Sequence, residues 1–256
     1  MTGKVYLVGA GPGAPDLITV RGAHILQRAD IVFYDALVHR DTLALAVEAE
    51  KVAVGKRCGS RSTAQRFINK RLIDAAQCHA IVVRLKGGDP MLFGRAQEEI
   101  DALKGAGIDF EVVPGVTAAL AASAELETSL TRRGVSRSVT FVTPRVGEDE
   151  PESSWIQSVL AADSAVLYMA AGQIDAIATA LLAAGLIAST PVVVVENSSL
   201  TTARRIPTTL AKLAQTAPAG TLSGPALICL GEVFRQQPRD AIEMSNDDTF
   251  LHAGHF

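Results

Sequence analysis

Gly87-Gly88-Asp89-Pro90 closes an apolar run, Ala80-Ile81-Val82-Val83, that reads as a buried strand. Two glycines followed by Asp-Pro end a strand and begin a tight turn. Glycine in that place also lets main chain come close to a bound ligand. Arg84, Lys86 and Arg95 flank the turn, which predicts a cationic edge in apolar surroundings. The same residues make good turn chemistry in any protein, so the functional reading needs support from the rest of the chain.

A second glycine cluster, Gly9-Ala10-Gly11-Pro12-Gly13, follows the apolar run Lys4-Val5-Tyr6-Leu7-Val8. A dinucleotide site has G-x-G-x-x-G opening directly into a helix, with the pyrophosphate on the helix N-terminus. Here Ala14 stands at the third glycine, Pro12 removes a backbone donor, and the helical pattern starts only near Thr19. The dinucleotide reading is therefore disfavoured. Asp35 ends another strand, Ile31-Val32-Phe33-Tyr34, where an α/β cleft is expected to take its ligand. A strand-end Asp also serves as a simple turn or cap.

Alternating strands and helices must position these groups. Strands are expected at 4–8, 31–34, 51–54, 81–85, 110–113, 138–142, 165–169, 191–195 and 226–230. Helices are expected from Thr19 as N-cap, from a cap at Ser62 or Thr63, over 116–124, over 174–184 and over 208–216. Short buried strands spaced by helices imply mostly parallel sheet covered on both faces. We expect an α/β protein of two α/β domains, 1–125 and 126–238, with the active site in the cleft between them and a disordered tail over 239–256.

Composition narrows the classes. At 48% hydrophobic residues the chain can bury a large aliphatic core, and a formal charge of −3 argues against general nucleic-acid binding. No apolar stretch reaches the roughly 20 residues of a membrane span. Cys58, Cys78 and Cys229 form no Cys-x-x-Cys pair, and the five histidines show no ligand spacing, so no metal site is expected. Scattered thiols and no recognisable secretory signal suit a cytoplasmic location.

Several segments together carry a resemblance. They are Gly9–Gly13 with Leu17-Ile18-Thr19, Val32–Val38, Val54-Gly55-Lys56-Arg57, Arg84–Pro90 with Phe93-Gly94-Arg95, and Val113-Pro114-Gly115-Val116-Thr117-Ala118. In this order and spacing the chain resembles the tetrapyrrole methylase family over about residues 4–235.

The resemblance implies an enzyme that uses S-adenosyl-L-methionine, releases S-adenosyl-L-homocysteine, and methylates C2 and C7 of uroporphyrinogen III. Its product would be precorrin-2, for cobalamin and sirohaem synthesis. It implies a homodimer and a fold distinct from the Rossmann-like methyltransferases. The methyl-donor site would fall on Pro12, Gly87, Gly88, Asp89, Leu92, Thr117, Ala118, Met169, Ser198 and Ala226. Asp89 would accept from a ribose hydroxyl or an ammonium group, and Leu92 and Met169 would pack on the adenine. Without the resemblance, Met169 reads as plain core packing. Asp35 and Lys56 match proposed acid/base positions. The substrate's carboxylates call for guanidinium forks, for which Arg21, Arg40, Arg95, Arg132, Arg133 and Arg137 are candidates.

Three departures stand out. Ala14 replaces a usual Asp, Ser198 replaces a usual Gly, and Glu127-Thr128-Ser129-Leu130-Thr131-Arg132-Arg133 replaces Gly-Ile-Pro-Leu-Thr-His-Arg. They keep open a related methylase acting on a later corrin precursor. A nicotinamide-binding oxidoreductase and a non-catalytic tetrapyrrole-binding protein are the readings from other classes.

Overall fold

Runs of β-branched and aliphatic residues form two sheets of five strands each. The computed structural model describes residues 2–54, 61–144, 153–218 and 220–235, without the side chains of 61–64. Lys56 and the tail over 239–256 therefore lie outside the described residues.

The first sheet contains β1 (Lys4–Gly9), β2 (Ile31–Tyr34), β3 (Glu50–Ala53), β4 (Ile81–Lys86) and β5 (Phe110–Val113). All pairings are parallel, in the order β3-β2-β4-β1-β5. Four helices connect these strands: α1 (Val20–Gln27), α2 (Arg40–Ala44), α3 (Arg61–Cys78) and α4 (Ala96–Gly105). The strands alternate their side chains between faces, so the sheet has two cores. Val5, Leu7, Phe33 and Val82 pack on Leu72 of α3 and on Ile100 and Leu103 of α4. Val8, Val32, Val83 and Leu85 pack on the other face with Leu26 of α1. Thr19 caps α1 as expected, accepting a hydrogen bond from the Gly22 amide at 3.1 Å. Helix α3 already begins at Arg61, so Ser62 and Thr63 lie inside it and neither is its cap.

After β5 the chain enters α5 (Ala118–Glu125), whose Ala119 and Ala122 pack into the core of the second sheet beside Val166, Val193 and Leu227. That sheet is formed by β6 (Val139–Val142), β7 (Ser164–Leu167), β8 (Pro191–Glu196), β9 (Arg204–Thr209) and β10 (Ala226–Gly231), in the order β6-β7-β10-β8-β9. Helices α6 (Trp155–Ala161), α7 (Ile174–Ala183) and α8 (Leu213–Thr216) accompany it.

Two expectations fail here. Only β6 and β7 pair in parallel; β10 runs antiparallel to both its neighbours and β9 antiparallel to β8, so the second sheet is mixed. The helix expected from Thr208 is the end of β9, followed by a short 3-10 turn at Leu210–Lys212 before α8. Arg204-Arg205-Ile206-Pro207-Thr208-Thr209 carries too little apolar alternation to read as a strand. As an edge strand it has one free side, where Pro207 is tolerated.

Candidate active site

The carboxyl ends of β1, β4 and β5 meet main chain against main chain. Gly11 and Gly88 exchange backbone hydrogen bonds of 3.2 and 2.7 Å. A Cβ at Gly9 would stand 2.6 Å from the Gly115 Cα and 2.7 Å from the Gly88 carbonyl oxygen; one at Gly115 would collide with that same oxygen. No side chain fits at Gly9 or Gly115, which explains glycine there, and Gly88 takes it for its left-handed φ of 68°. Asp89 locks it: one carboxylate oxygen accepts from the Gly115 amide and the other from the Met91 amide, each at 2.8 Å. Both Asp89 oxygens thus hold protein backbone, so Asp89 shapes the site as a scaffold.

Asp35 sits just past β2 with its side chain 28% exposed. One oxygen accepts from the Leu37 amide at 3.0 Å and the other from the Gly87 amide at 3.3 Å. The second oxygen also faces the Arg84 guanidinium at 3.9 Å. The turn residue reading of Asp35 and the cleft reading therefore hold together: the turn fixes the carboxylate while leaving it accessible.

The cationic edge expected from Arg84 and Lys86 does not exist. Both are buried and point inward to the fully buried Glu99 of α4, at 3.1 Å from Arg84 and 3.0 Å from Lys86. Residues 82, 84 and 86 share one face of β4, the face that packs on α3 and α4, so strand alternation carries the charges into the core. Burial, and then the neighbouring Arg84, hold the Lys86 ammonium below its ordinary pKa, opposed by Glu99. Arg95 alone of the three is exposed; it precedes α4 in a left-handed conformation (φ 55°) with its guanidinium forked on Glu98 at 2.6 and 2.8 Å.

The second sheet contributes Tyr168 and Met169 from the end of β7. The Tyr168 hydroxyl lies 2.7 Å from the Thr117 hydroxyl and accepts from the Ala119 amide at 3.0 Å. Its ring stands 5.1 Å from that of Phe93. Burial raises the phenol's pKa, with the two hydrogen bonds acting against it. Met169 has φ 55° and is 45% exposed, so it is not a core residue. A second bridge runs from the Ala14 amide to the Ser199 hydroxyl at 3.0 Å, which brings the β8–β9 connection against the β1 loop. Ser198 beside it is buried, and its hydroxyl has no hydrogen-bond partner among the described residues. Ala226, at the start of β10, pairs with Glu196 at the end of β8.

These contacts join Gly87, Gly88 and Asp89 to Asp35, Gly11 and Gly115 at the strand ends of the first sheet, and tie the two sheets through Thr117 with Tyr168 and through Ala14 with Ser199. Pro12, Leu92, Ala118, Met169 and Ser198 lie on the same connecting segments, Ala226 is paired with Glu196, and Arg95 is on the loop beyond Leu92. The other arginines are not drawn into it by any contact among the described residues. Arg21 reaches Glu111 on the edge strand β5 at 3.7 Å, Arg40 pairs with its neighbour Asp41, and Arg132 and Arg133 lie exposed on a turn closed by Arg132 and Ser136.

Tyr168, Phe93 and Ser199 are the site residues that sequence reasoning missed. Their signal was slight. Tyr168 is one of three tyrosines in an aromatic-poor chain and lies at a strand end. The positive φ of Phe93 and Ser199, 52° and 70°, has no sequence signature in non-glycine residues.

The chain matches the family described as Tetrapyrrole (Corrin/Porphyrin) Methylases over residues 4–214. It is 42% identical over 245 residues to a uroporphyrinogen-III C-methyltransferase of Pseudomonas aeruginosa, covering 96% of this chain and 100% of that one. It is 43% identical over 234 residues to a siroheme synthase of Psychrobacter sp., covering 91% of this chain; it spans 48% of that relative's length. Among solved structures it resembles the uroporphyrin-III C-methyl transferase of Thermus thermophilus complexed with S-adenyl homocysteine, with a TM-score of 0.78, 39% identity, and coverage of 91% of this chain and 99% of that one.

Proposed function

This chain belongs to the tetrapyrrole (corrin/porphyrin) methylases, and on that premise we propose that it methylates uroporphyrinogen III at C2 and C7, by way of precorrin-1, to give precorrin-2. The observation that carries the reading is the convergence of the Gly9–Gly88–Gly115 junction with Tyr168–Met169 across two sheets. A relative of the same fold and 39% identity holds S-adenosylhomocysteine. The residues here fit that group. Gly88, at φ 68°, has open space where a Cβ would stand; Met169 offers an accessible thioether; Ser198 carries a buried hydroxyl without a partner among the described residues. S-adenosylmethionine held at Pro12, Gly87, Gly88, Asp89, Leu92, Thr117, Ala118, Met169, Ser198 and Ala226 would supply an electrophilic methyl group.

The protein's own part is orientation and exclusion of water, because the step moves positive charge off sulfur onto an electron-rich pyrrole ring. The rigid glycine junction fixes the cleft floor, and Phe93 and Tyr168 form a hydrophobic wall. Methylation of a fully substituted pyrrole carbon leaves a cation that is neutralised by loss of a proton from a ring nitrogen or a bridging methylene, and Asp35 is an accessible carboxylate held at the strand ends that could take it. Lys56 is the second acid/base candidate. Arg95 is the cation best placed to grip a substrate carboxylate, by sharing or exchanging its Glu98 partner.

The reading extends to a homodimer in the cytoplasm supplying cobalamin or sirohaem synthesis. The free thiols of Cys78 and Cys229 suit a reducing compartment. No helix among the described residues is long and apolar enough to cross a membrane.

Anaerobic incubation with uroporphyrinogen III and S-adenosylmethionine, read by mass spectrometry, tests the proposal. A gain of two methyl groups supports it. No gain, with S-adenosylhomocysteine still bound, redirects the acceptor to a later corrin precursor.

A further inference from the structure

We propose that Glu99, buried and out of contact with the cleft, is a positioning residue for Asp35 that acts through Arg84; the inference rests on the reading of Asp35 given above. Glu99 sits in the first turn of α4 with no exposed surface. Its carboxylate collects three donors from two other elements: Gln65 of α3 at 3.3 Å, Arg84 of β4 at 3.1 Å, and Lys86 of β4 at 3.0 and 3.1 Å.

Two cations on one carboxylate leave the buried cluster one positive charge in excess. The fourth charged group is Asp35, whose oxygen stands 3.9 Å from Arg84 Nη2. Charge balance in this part of the core therefore includes the cleft carboxylate, and uncompensated buried charge is strongly unfavourable.

The guanidinium is fixed in orientation as well as charge. Its Nε donates to Glu99, and its Nη1 donates to the main-chain carbonyls of Leu85 at 2.9 Å and Phe33 at 3.4 Å. With those three bonds made, Nη2 is the nitrogen left toward Asp35. Lys86, held by both oxygens of the same carboxylate, runs its stem against Gly94, where a Cβ would stand 3.2 Å from Lys86 Cε. One carboxylate thus ties β2, α3, β4, α4 and the loop that ends at Arg95. Buried ion clusters gain little stability over apolar packing of the same volume, which leaves orientation of Asp35 as the use of this one.

A double-mutant cycle between Glu99→Gln and Asp35→Asn tests the proposal, with turnover in the methyl-transfer assay and S-adenosylhomocysteine affinity as readouts. Glu99→Gln is expected to lower kcat at least about tenfold in the wild-type background and less than about twofold in the Asp35→Asn background, with S-adenosylhomocysteine affinity within about twofold throughout. Equal fold-losses in the two backgrounds overturn the proposal, because a merely structural role is blind to the residue at 35. Wild-type turnover in Asp35→Asn alone overturns the reading of Asp35 and this proposal with it. A loss in Asp35→Asn with none in Glu99→Gln overturns this proposal alone. Should Glu99→Gln fail to fold, pairing it with Lys86→Met removes one cation with one anion, and the same cycle is run on that balanced background.

Discussion

The hydroxyls of Tyr168 and Thr117 lie 2.7 Å apart, and this contact fastens the end of a second-sheet strand to the residue that caps α5. The tyrosine also accepts from the Ala119 amide, so one phenol oxygen serves two groups of the segment that leaves the first sheet. Tyr168 therefore sets the spacing of the two walls of the cleft.

Removing that oxygen leaves a half-buried amide and a hydroxyl without their partner. Tyr168→Phe is expected to cost about 1–3 kcal/mol of stability, the usual penalty for stranding a polar group. Urea denaturation measures it, and titration with S-adenosylhomocysteine is expected to show weaker binding in the same variant. Unchanged values in both would mean that the contact does not hold the cleft.

Gly115→Ala places a methyl group against the Gly88 carbonyl, with no flexible side chain available to give way. Binding of S-adenosylhomocysteine is expected to weaken at least about tenfold, as small displacements of positioning groups cost much in a preorganised site. Calorimetric titration of the folded variant is the check.

Acid is expected to loosen the second sheet through Glu196. Burial pushes this carboxyl's pKa up, but the Gly224 and Ser223 amides, the Ser223 hydroxyl and Arg204 together outweigh it and hold the pKa below the ordinary value. A lowered folded-state pKa means that the stabilisation is complete above the unfolded carboxylate value, about 4.3. It is lost as pH falls through the lowered folded value. The urea midpoint of the wild type should therefore drop more steeply below about pH 4.5 than that of Glu196→Gln, which has no such proton to take up. Parallel curves would remove Glu196 from the acid response.

Thiol chemistry separates two cysteines. Cys78 is exposed, whereas burial pushes the Cys229 thiol up to about 12. At pH 8 Cys229 has almost no thiolate and no access for a reagent. Iodoacetamide followed by peptide mapping should label Cys78 in the native protein and Cys229 only after unfolding. Rapid native labelling of Cys229 would contradict its packing under α5.

Much of this arrangement was legible in the chain. The central strands β1, β2 and β4 of the first sheet stood out because they are largely apolar runs buried on both faces, and Thr19 announced its helix by capping chemistry. The glycine loops marked the strand ends that form the cleft. What was not legible depends on groups far apart in sequence. Arg84 and Lys86 look like a solvent-facing pair until Glu99 is seen across the core from them, a partner supplied by a different helix. Asp89 reads from the sequence only as a ligand group, because nothing local shows that it also holds the Gly115 amide. Strand β9 escaped notice since an edge strand needs little apolar pattern, and the mixed direction of the second sheet comes from β9 and β10, which run opposite to β6, β7 and β8. The positive φ of Met169 is likewise imposed by its surroundings and invisible in its residue type.

The meeting of Gly9, Gly88 and Gly115 has a consequence for how such a protein can change. A floor built from bare peptide groups presents the same amides and carbonyls whatever happens to the side chains around it, and no position takes a side chain freely, Gly9 and Gly115 for want of room and Gly88 for its φ of 68°. It forms a fixed socket. Any shift toward a different acceptor molecule must come from the rim, on the loops bearing Leu37, Phe93 and Arg95, where exposed side chains can vary in size and charge.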